Sequence, residues 1–192
     1  MIDLMRMTLR DPLAGFRVLK AKPWQPGDRW ALIFATAACS AILSWLSTVL
    51  LAGPGAEAGV LGFLSVSPIS MASVQVVSAA FGAYLLAEVG RIFGGTGRFA
   101  DALLAVGWIE AIMVALQTLQ LAVTLVLPSL GALLGIAALL LAAYLMVALT
   151  MAVHGFRNPL LVVMGILGTV MLTSFLLSIL AATLGFLPGA PA

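Results

Sequence analysis

The residues most able to do chemistry lie in one charged, glycine-rich stretch that runs from Tyr84 to Glu110. It separates two long apolar runs and carries the carboxylates Glu88, Asp101 and Glu110. Charged side chains within apolar spans are costly, and they usually face a bundle interior, a cavity or each other. We therefore expect the polar chemistry of the chain to centre on this stretch and its flanks.

A polar layer inside the membrane is the first site hypothesis. By helical rise, Tyr84, Glu110 and Tyr144 share one depth on three predicted helices, roughly 13–15 Å below the charged surface. We expect one or both tyrosine hydroxyls to donate a hydrogen bond to Glu110. Gln117 and Gln120 follow on the same helix and would extend the polar layer outward.

Glu110 itself has two interpretations. As a functional group it would be a proton or cation site, or would contact a lipid headgroup or a partner helix. As a structural group it would hold helices together through hydrogen bonds. The sequence leaves both interpretations open.

A glycine turn occupies the middle of the charged stretch. The run GGTG at 94–97 lacks the GxxxxGK[ST] pattern of a phosphate loop, so it is better explained by a tight turn that needs positive φ. Beside it, Glu88 and Arg91 are spaced to pair along one helix, and Asp101 is placed to cap the next. We interpret the region as a cytoplasmic hinge made of Glu88, Arg91, Gly94, Gly95, Gly97, Arg98 and Asp101.

The composition is that of a membrane protein. Of 192 residues, 63% are hydrophobic and 8% are charged, and the mean hydropathy is +1.20. A soluble domain would carry roughly 25% charged residues. With one histidine, one cysteine and no catalytic or zinc motif, we expect no enzyme, no metal and no cofactor. The basic residues are distributed as topology signals, which argues against nucleic-acid binding.

The apolar runs predict an all-α integral membrane fold with five transmembrane helices. The run that begins at Trp30 is too long for a signal peptide, so we interpret it as a retained first span. The predicted organisation is an amphipathic segment, 1–29, and a five-span membrane domain, 30–187. The spans are predicted at about 30–52, 68–93, 101–127, 130–153 and 160–185.

Residues 1–29 predict one or two short helices on the membrane surface. Asp11 is placed as an N-cap and Pro12 as the first helical residue. The basic side chains of this segment would face anionic headgroups, and its tryptophans suit the headgroup level. The predicted membrane-surface contacts are Arg10, Arg17, Lys20, Lys22 and Trp24.

The basic residues also predict an orientation. All nine fall in segments that five spans place on the same side of the membrane. Because lysine and arginine concentrate on the cytoplasmic side, we expect a cytoplasmic N-terminus, a C-terminus on the opposite side, and a location in a bacterial inner membrane.

Short motifs give the chain a resemblance to a known family. They are RIFGGTGRF at 91–99, followed by AVGW at 105–108, and HGFRNP at 154–159, with RDP at 10–12 before a predicted helix. On these residues the chain resembles the Yip-domain family, named for membrane proteins that interact with Ypt/Rab GTPases, and most of all its short bacterial members. The resemblance implies a five-span α-helical membrane domain with a cytoplasmic N-terminus.

The resemblance does not extend to the partners of the eukaryotic relatives. Those proteins act in vesicle traffic and bind prenylated GTPases or each other. Here the cytoplasmic segment is predicted to have only 29 residues, and the Asp-Leu-Tyr-Gly-Pro motif of those relatives is absent. Both differences argue against GTPase binding.

Three functions stay open. The leading one is a non-enzymatic membrane scaffold or interaction protein that binds partner proteins or lipids through its helices. The second is a small transporter, channel or lipid-translocating protein that uses the Glu110 track. The third is an accessory subunit of a bioenergetic membrane complex. The partners that we expect are membrane lipids, together with other membrane proteins or a second copy of the chain.

Overall fold

The computed structural model describes residues 1–51 and 67–183, and within these ranges every regular element is a helix. The segment between the first two predicted spans, and the end of the fifth, lie largely outside the described residues. The helices are α1 (Ile2–Arg10), α2 (Pro12–Lys20), α3 (Pro26–Leu51), α4 (Pro68–Ile92), α5 (Phe99–Val126), α6 (Pro128–His154) and α7 (Pro159–Thr183).

Helices α3 to α7 are each long and apolar enough to cross a membrane, which confirms the predicted all-α fold with five transmembrane helices. Proline determines where most helices begin, because its φ is already helical and its missing N–H would have no partner in the first turn. Pro26 starts α3 in this way, earlier than the predicted start at about residue 30. The same holds at Pro12, Pro68, Pro128 and Pro159.

The N-terminal segment forms two helices whose junction was predicted correctly. The carboxylate of Asp11 accepts a hydrogen bond from the N–H of Ala14 at 2.9 Å, and Pro12 is the first residue of α2. A side-chain oxygen that satisfies a free N–H in the first turn is the usual N-cap arrangement. The chain can therefore turn between α1 and α2 without leaving that end of α2 uncapped.

The basic residues of the chain lie at one end of the helix assembly. Helices α3, α5 and α7 begin there, and α4 and α6 end there. Ring contacts such as Trp30 with Phe99, whose centroids are 6.4 Å apart, join the helix ends. We call it the basic end, because all nine basic residues belong to its segments: Arg6, Arg10, Arg17, Lys20, Lys22, Arg29, Arg91, Arg98 and Arg157.

Helix α5 is the centre of the fold. It packs against α3, α4 and α6, and every residue from Asp101 to Ile109 is buried. On one side, α5 and α6 form a core with α1 and α2, in which Trp108, Phe16 and Leu149 are fully enclosed. On the other side, α5 forms a second core with α3 and α4.

The second core depends on small residues. Helix α4 contributes Ala79, Ala83 and Ala87, which repeat every four residues and so lie on one face. Small side chains let helix backbones approach closely in lipid, where packing replaces the hydrophobic effect as the source of helix association. The alanine face of α4 therefore determines which side of that helix meets α3 and α5.

Helix α7 is the least enclosed of the long helices. Among its described residues, Val162 alone is buried. It contacts α6 and α4 and has no comparable contact with α5. The bundle therefore has a compact part, α1 to α6, and a peripheral last helix.

Candidate functional site

His154, the last residue of α6, joins three segments at the basic end. Its side chain is buried, and its Nδ1 accepts a hydrogen bond from the N–H of Gly97 at 3.1 Å. Its Nε2 lies 2.9 Å from the carbonyl oxygen of Leu86 in α4. Because Nδ1 accepts, the proton is on Nε2 and is donated to Leu86. The ring is thus a neutral crosslink between α4, α6 and the turn before α5.

The glycine turn surrounds this histidine. A Cβ added at Gly90, Gly95 or Gly97 would overlap the His154 ring. Gly94 has φ of 82°, so the predicted need for positive φ is met there. Gly95 and Gly97 are required for a different reason, because the His154 ring leaves no space for a Cβ there. The glycine turn and the HGFRNP motif are far apart in the sequence, but in the structure they form one contact.

Other groups complete the contact. The carbonyl of His154 accepts a hydrogen bond from the Thr96 N–H at 3.4 Å. Phe156 stacks on the His154 ring with centroids 5.3 Å apart and planes 18° from parallel. Gly155, at φ 74°, turns the chain between them. This cluster fixes the relative positions of α4, α5 and α6 at the basic end.

The Glu88–Arg91 pair has the predicted geometry. Arg91 Nη1 lies 2.9 Å from Glu88 Oε1, and the two side chains are 59% and 40% exposed. An exposed pair of this kind contributes about 0–1 kcal/mol. Its main effect is to neutralise one of the cations at the basic end.

The expected cap by Asp101 is wrong. Helix α5 has Arg98 as its N-cap residue, without a side-chain cap, and Asp101 lies inside the first turn. The nearly buried carboxylate of Asp101 accepts a hydrogen bond from Lys20 Nζ at 2.8 Å. A carboxylate near a helix N-terminus is also favoured by the helix dipole. Asp101 therefore attaches α2 to the start of α5.

The predicted membrane-surface contacts divide into two groups. Arg10, Arg17 and Lys22 are exposed and stay candidates for headgroup contact. Lys20 pairs with Asp101, and Trp24 donates from Nε1 to the Leu19 carbonyl at 2.7 Å. Lys20 and Trp24 therefore also make contacts within the protein, where α2 packs against α5 and α6.

Thr8 and Trp108 form a buried contact that sequence reasoning missed. Trp108 Nε1 donates to Thr8 Oγ1 at 3.0 Å, and that hydroxyl donates to the Leu4 carbonyl at 2.8 Å. A Cβ on Gly15 would overlap Thr8, so α2 fits closely over the pair. The AVGW motif thus supplies the ring that holds α1 in place.

The predicted hydrogen bonds from the tyrosines to Glu110 are not formed. Tyr84 and Tyr144 are 53% and 51% exposed, and neither has a hydrogen bond among the described residues. Glu110 Oε2 instead lies 3.5 Å from Gln75 Nε2. The reason is the alanine face of α4, which Gln75 shares at four-residue spacing, whereas Tyr84 is one residue further round the helix.

Gln117 is held between two serines of α3. Its Oε1 accepts from Ser40 at 3.0 Å and its Nε2 donates to Ser44 at 3.0 Å. Gln120 points elsewhere and donates to the Gly131 carbonyl of α6 at 3.3 Å. The predicted outward track is therefore corrected. It does not include Gln120, and it includes three hydrogen-bond partners that were not predicted, Gln75, Ser40 and Ser44. We call the remaining group the polar seam: Gln75, Glu110, Gln117, Ser40 and Ser44.

An apolar cleft separates α4 from α7. Its part nearest the basic end is a cavity of about 180 Å³, lined by residues from Gly82 to the C-cap Phe93 of α4, by Met146 and Thr150 of α6, and by α7 between Leu161 and Val170. A second cavity of about 490 Å³ continues along α7 as far as Leu180. The two cavities share the lining residues Leu85, Val89, Phe93, Gly165 and Thr169. We call the whole the α4–α7 cleft.

The walls of the cleft present almost no free polar groups. The hydroxyl of Thr150 donates to the Met146 carbonyl at 2.6 Å, and that of Thr169 donates to the Gly165 carbonyl at 2.7 Å. Threonines bonded to their own helix show their methyl groups to the space beside them. The cleft is suited to hydrocarbon.

Residues 1–51 and 67–183 contain no group of three or more histidine, cysteine, aspartate or glutamate side chains placed to hold a metal ion. Cys39 is exposed on α3. The geometry thus offers three features with a possible role: the His154 cluster, the polar seam and the α4–α7 cleft.

The comparisons with known proteins agree with the fold and the motifs. No curated protein and no solved structure is significantly similar to the chain. A comparison with protein families, in contrast, matches residues 7–180 to the Yip1 domain. That match covers α2 to α6, the last four residues of α1 and nearly all of α7, including the glycine turn and HGFRNP. The chain therefore belongs to the Yip1 domain family.

Proposed function

We propose that this multi-pass membrane protein is a non-enzymatic interaction protein whose binding surface is the α4–α7 cleft. The observation that carries the proposal is the cleft itself, an apolar space between α4, which packs in the core, and α7, which is exposed along most of its length. In a membrane such a space is filled by lipid or by a helix of another protein. Membrane lipids are the first expected occupants, and partner membrane proteins or a second copy come next.

The proposal includes an orientation. With all nine basic residues in segments of the basic end, the positive-inside rule favours a cytoplasmic position for that end. The N-terminus would then be cytoplasmic, and the membrane would be a bacterial inner membrane. GTPases and nucleic acids have no place in this proposal.

A photoreactive amino acid tests the cleft directly. Ile166 lines the first cavity, and its neighbour Leu167 is 53% exposed and lines neither cavity. With the probe at 166, irradiation in native membranes should give one dominant crosslinked species, because a bound occupant is held there. With the probe at 167, it should give only the average lipid composition. The same products from both positions would refute a specific cleft.

The polar seam supports a second candidate, transport of protons or small cations. Glu110 lies within a spanning helix, and its one hydrogen-bond partner among the described residues is Gln75. Intramembrane carboxylates mark ion pathways in many membrane proteins. On this candidate, purified protein in liposomes conducts protons or cations, and Glu110→Gln abolishes the flux.

The matched control for that experiment is Glu88→Gln. Glu88 is a carboxylate of the same bundle, but it is paired with Arg91 at the basic end. It should leave any flux unchanged. Absence of flux in the wild-type protein, with orientation and incorporation verified, would remove the transport candidate.

A further inference from the structure

The length of the first cavity corresponds to one leaflet of a bilayer. Its α7 lining begins at Leu161 and ends at Val170. Nine residues of helix rise about 13.5 Å, and the hydrocarbon core of a bilayer is about 30 Å thick, or about 15 Å per leaflet. Along α7 the cavity is therefore about as long as one leaflet is thick.

The width of the cavity favours a chain over a helix. A volume of about 180 Å³ is distributed along that 13.5 Å rise, whereas an α-helix with side chains is about 10 Å across. A helix of a second copy would be wider than the first cavity. An extended hydrocarbon chain is narrower than a helix.

An arginine unpaired among the described residues follows the cavity lining directly in sequence. Phe156 lines the cavity, and Arg157 follows it directly, exposed and without a salt-bridge partner among the described residues. On the α4 side, Arg91 is already neutralised by Glu88. Arg157 is thus the free cation nearest in sequence to the cavity lining. Arginine binds phosphate oxygens in a two-pronged geometry.

From these three observations we infer that the α4–α7 cleft binds an anionic phospholipid from the leaflet at the basic end, with one acyl chain in the first cavity and its phosphate at Arg157. The inference rests on the proposed function and specifies its ligand. Anionic lipids are concentrated in the cytoplasmic leaflet, which is the leaflet that the proposed orientation assigns to the basic end.

Glycines in the cleft allow it to be blocked without disturbing the fold. A Cβ on Gly165 would lie 3.8 Å from Phe93, an ordinary contact, and one on Gly82 would meet nothing within 4 Å. In Gly165→Leu, the added side chain therefore enters the space of the acyl chain. Ala137→Leu is the control, since Ala137 is exposed on α6 and lines neither cavity.

The headgroup contact has a matched pair of its own. Arg157→Gln removes the proposed phosphate ligand, and Arg10→Gln removes an equal charge from an exposed residue of α1 at the same end. One basic residue near the membrane surface contributes about 1 kcal/mol to the attraction of anionic lipid, or about a fivefold change in affinity. We expect that change for Arg157→Gln and a smaller one for Arg10→Gln.

The experiment uses full-length protein in vesicles of equal phosphatidylcholine and phosphatidylglycerol. After mild extraction, native mass spectrometry counts the lipids that stay bound and identifies them. The wild-type protein should retain one phosphatidylglycerol. Gly165→Leu should lose it, Arg157→Gln should retain about a fifth as much, Arg10→Gln should retain clearly more than Arg157→Gln does, and Ala137→Leu should resemble the wild type. The Tm of every variant is measured, so that misfolding is recognised.

Different results would contradict the lipid inference and the proposed function. If phosphatidylcholine and phosphatidylglycerol are retained equally, or if Arg157→Gln has no effect, the ligand is not specifically anionic. The cleft would then still be a lipid-binding site. If the wild-type protein is a dimer and Gly165→Leu is a monomer, the cleft binds a second copy. That result would overturn the lipid ligand but would agree with an interaction protein. Binding that Gly165→Leu does not change would overturn the lipid inference, and crosslinks alike at 166 and 167 would overturn the proposed function as well.

Discussion

At the scale of single residues, three glycines and one histidine explain the most distinctive sequence of the chain. Gly90, Gly95 and Gly97 surround His154, and the ring leaves no room for a Cβ at any of them. A sequence pattern identifies glycine but does not distinguish positive φ from lack of space. The structure assigns positive φ to Gly94 and lack of space to Gly95 and Gly97.

Gly97→Ala should therefore destabilise the protein. The new Cβ would meet both His154 and the Val153 side chain at about 2.6 Å, and overpacking of this kind reduces the free energy of unfolding by about 1–3 kcal/mol. Thermal unfolding in detergent micelles measures the effect as a lower Tm. Gly82→Ala is the control, because open space surrounds it. Equal Tm values for the two variants would show that the ring can move aside.

The polar residues of the spans could be predicted only in part. The sequence indicates Glu110 as an intramembrane carboxylate, and Gln117 as its neighbour, because polar residues are conspicuous in apolar runs. Their partners Gln75, Ser40 and Ser44 were missed. The depth of a residue follows from helical rise, but its direction depends on how each helix is rotated, and Tyr84 was misplaced for that reason.

At the scale of helices, the rotation of α4 follows from its alanines. Hydropathy does not reveal it, because an apolar side chain is as acceptable against lipid as against another helix. Tyr84 and Ala83 are neighbours in sequence, yet one is half exposed and the other is fully buried. Small residues at four-residue spacing were the available signal for the inward face. The predicted spans succeeded because apolar length alone defines them.

Ala83→Leu should disrupt the contact of α4 with α3 and α5. The added atoms have no space in a core where Ala83 is 0% exposed, and we expect a loss of about 1–3 kcal/mol in stability. Val77→Leu adds bulk to the exposed face of the same helix and should change little. The measurement is the detergent concentration or temperature at which each variant unfolds. An unaffected Ala83→Leu would contradict the assigned rotation.

At the scale of the whole molecule, the segregation of charge makes the orientation testable. Cysteine labelling with a membrane-impermeant reagent can be done after Cys39 is replaced by alanine. Arg17 and Ser129 are both exposed and lie at opposite ends of the bundle. In intact cells, Ser129→Cys should react and Arg17→Cys should react only after permeabilisation. The reverse pattern would invert the proposed orientation.

The burial of α1 and α2 has a consequence for the order of assembly. Their inward residues, among them Thr8, Phe16 and Leu19, are covered by α5 and α6. During synthesis, α1 and α2 exist before those helices have been made. In that interval no protein covers their apolar faces, and an amphipathic helix can bury its apolar face at the membrane surface. We therefore expect the surface location that the sequence predicts for residues 1–29 to be most extensive during biogenesis, which nascent chains ending before Phe99 would test.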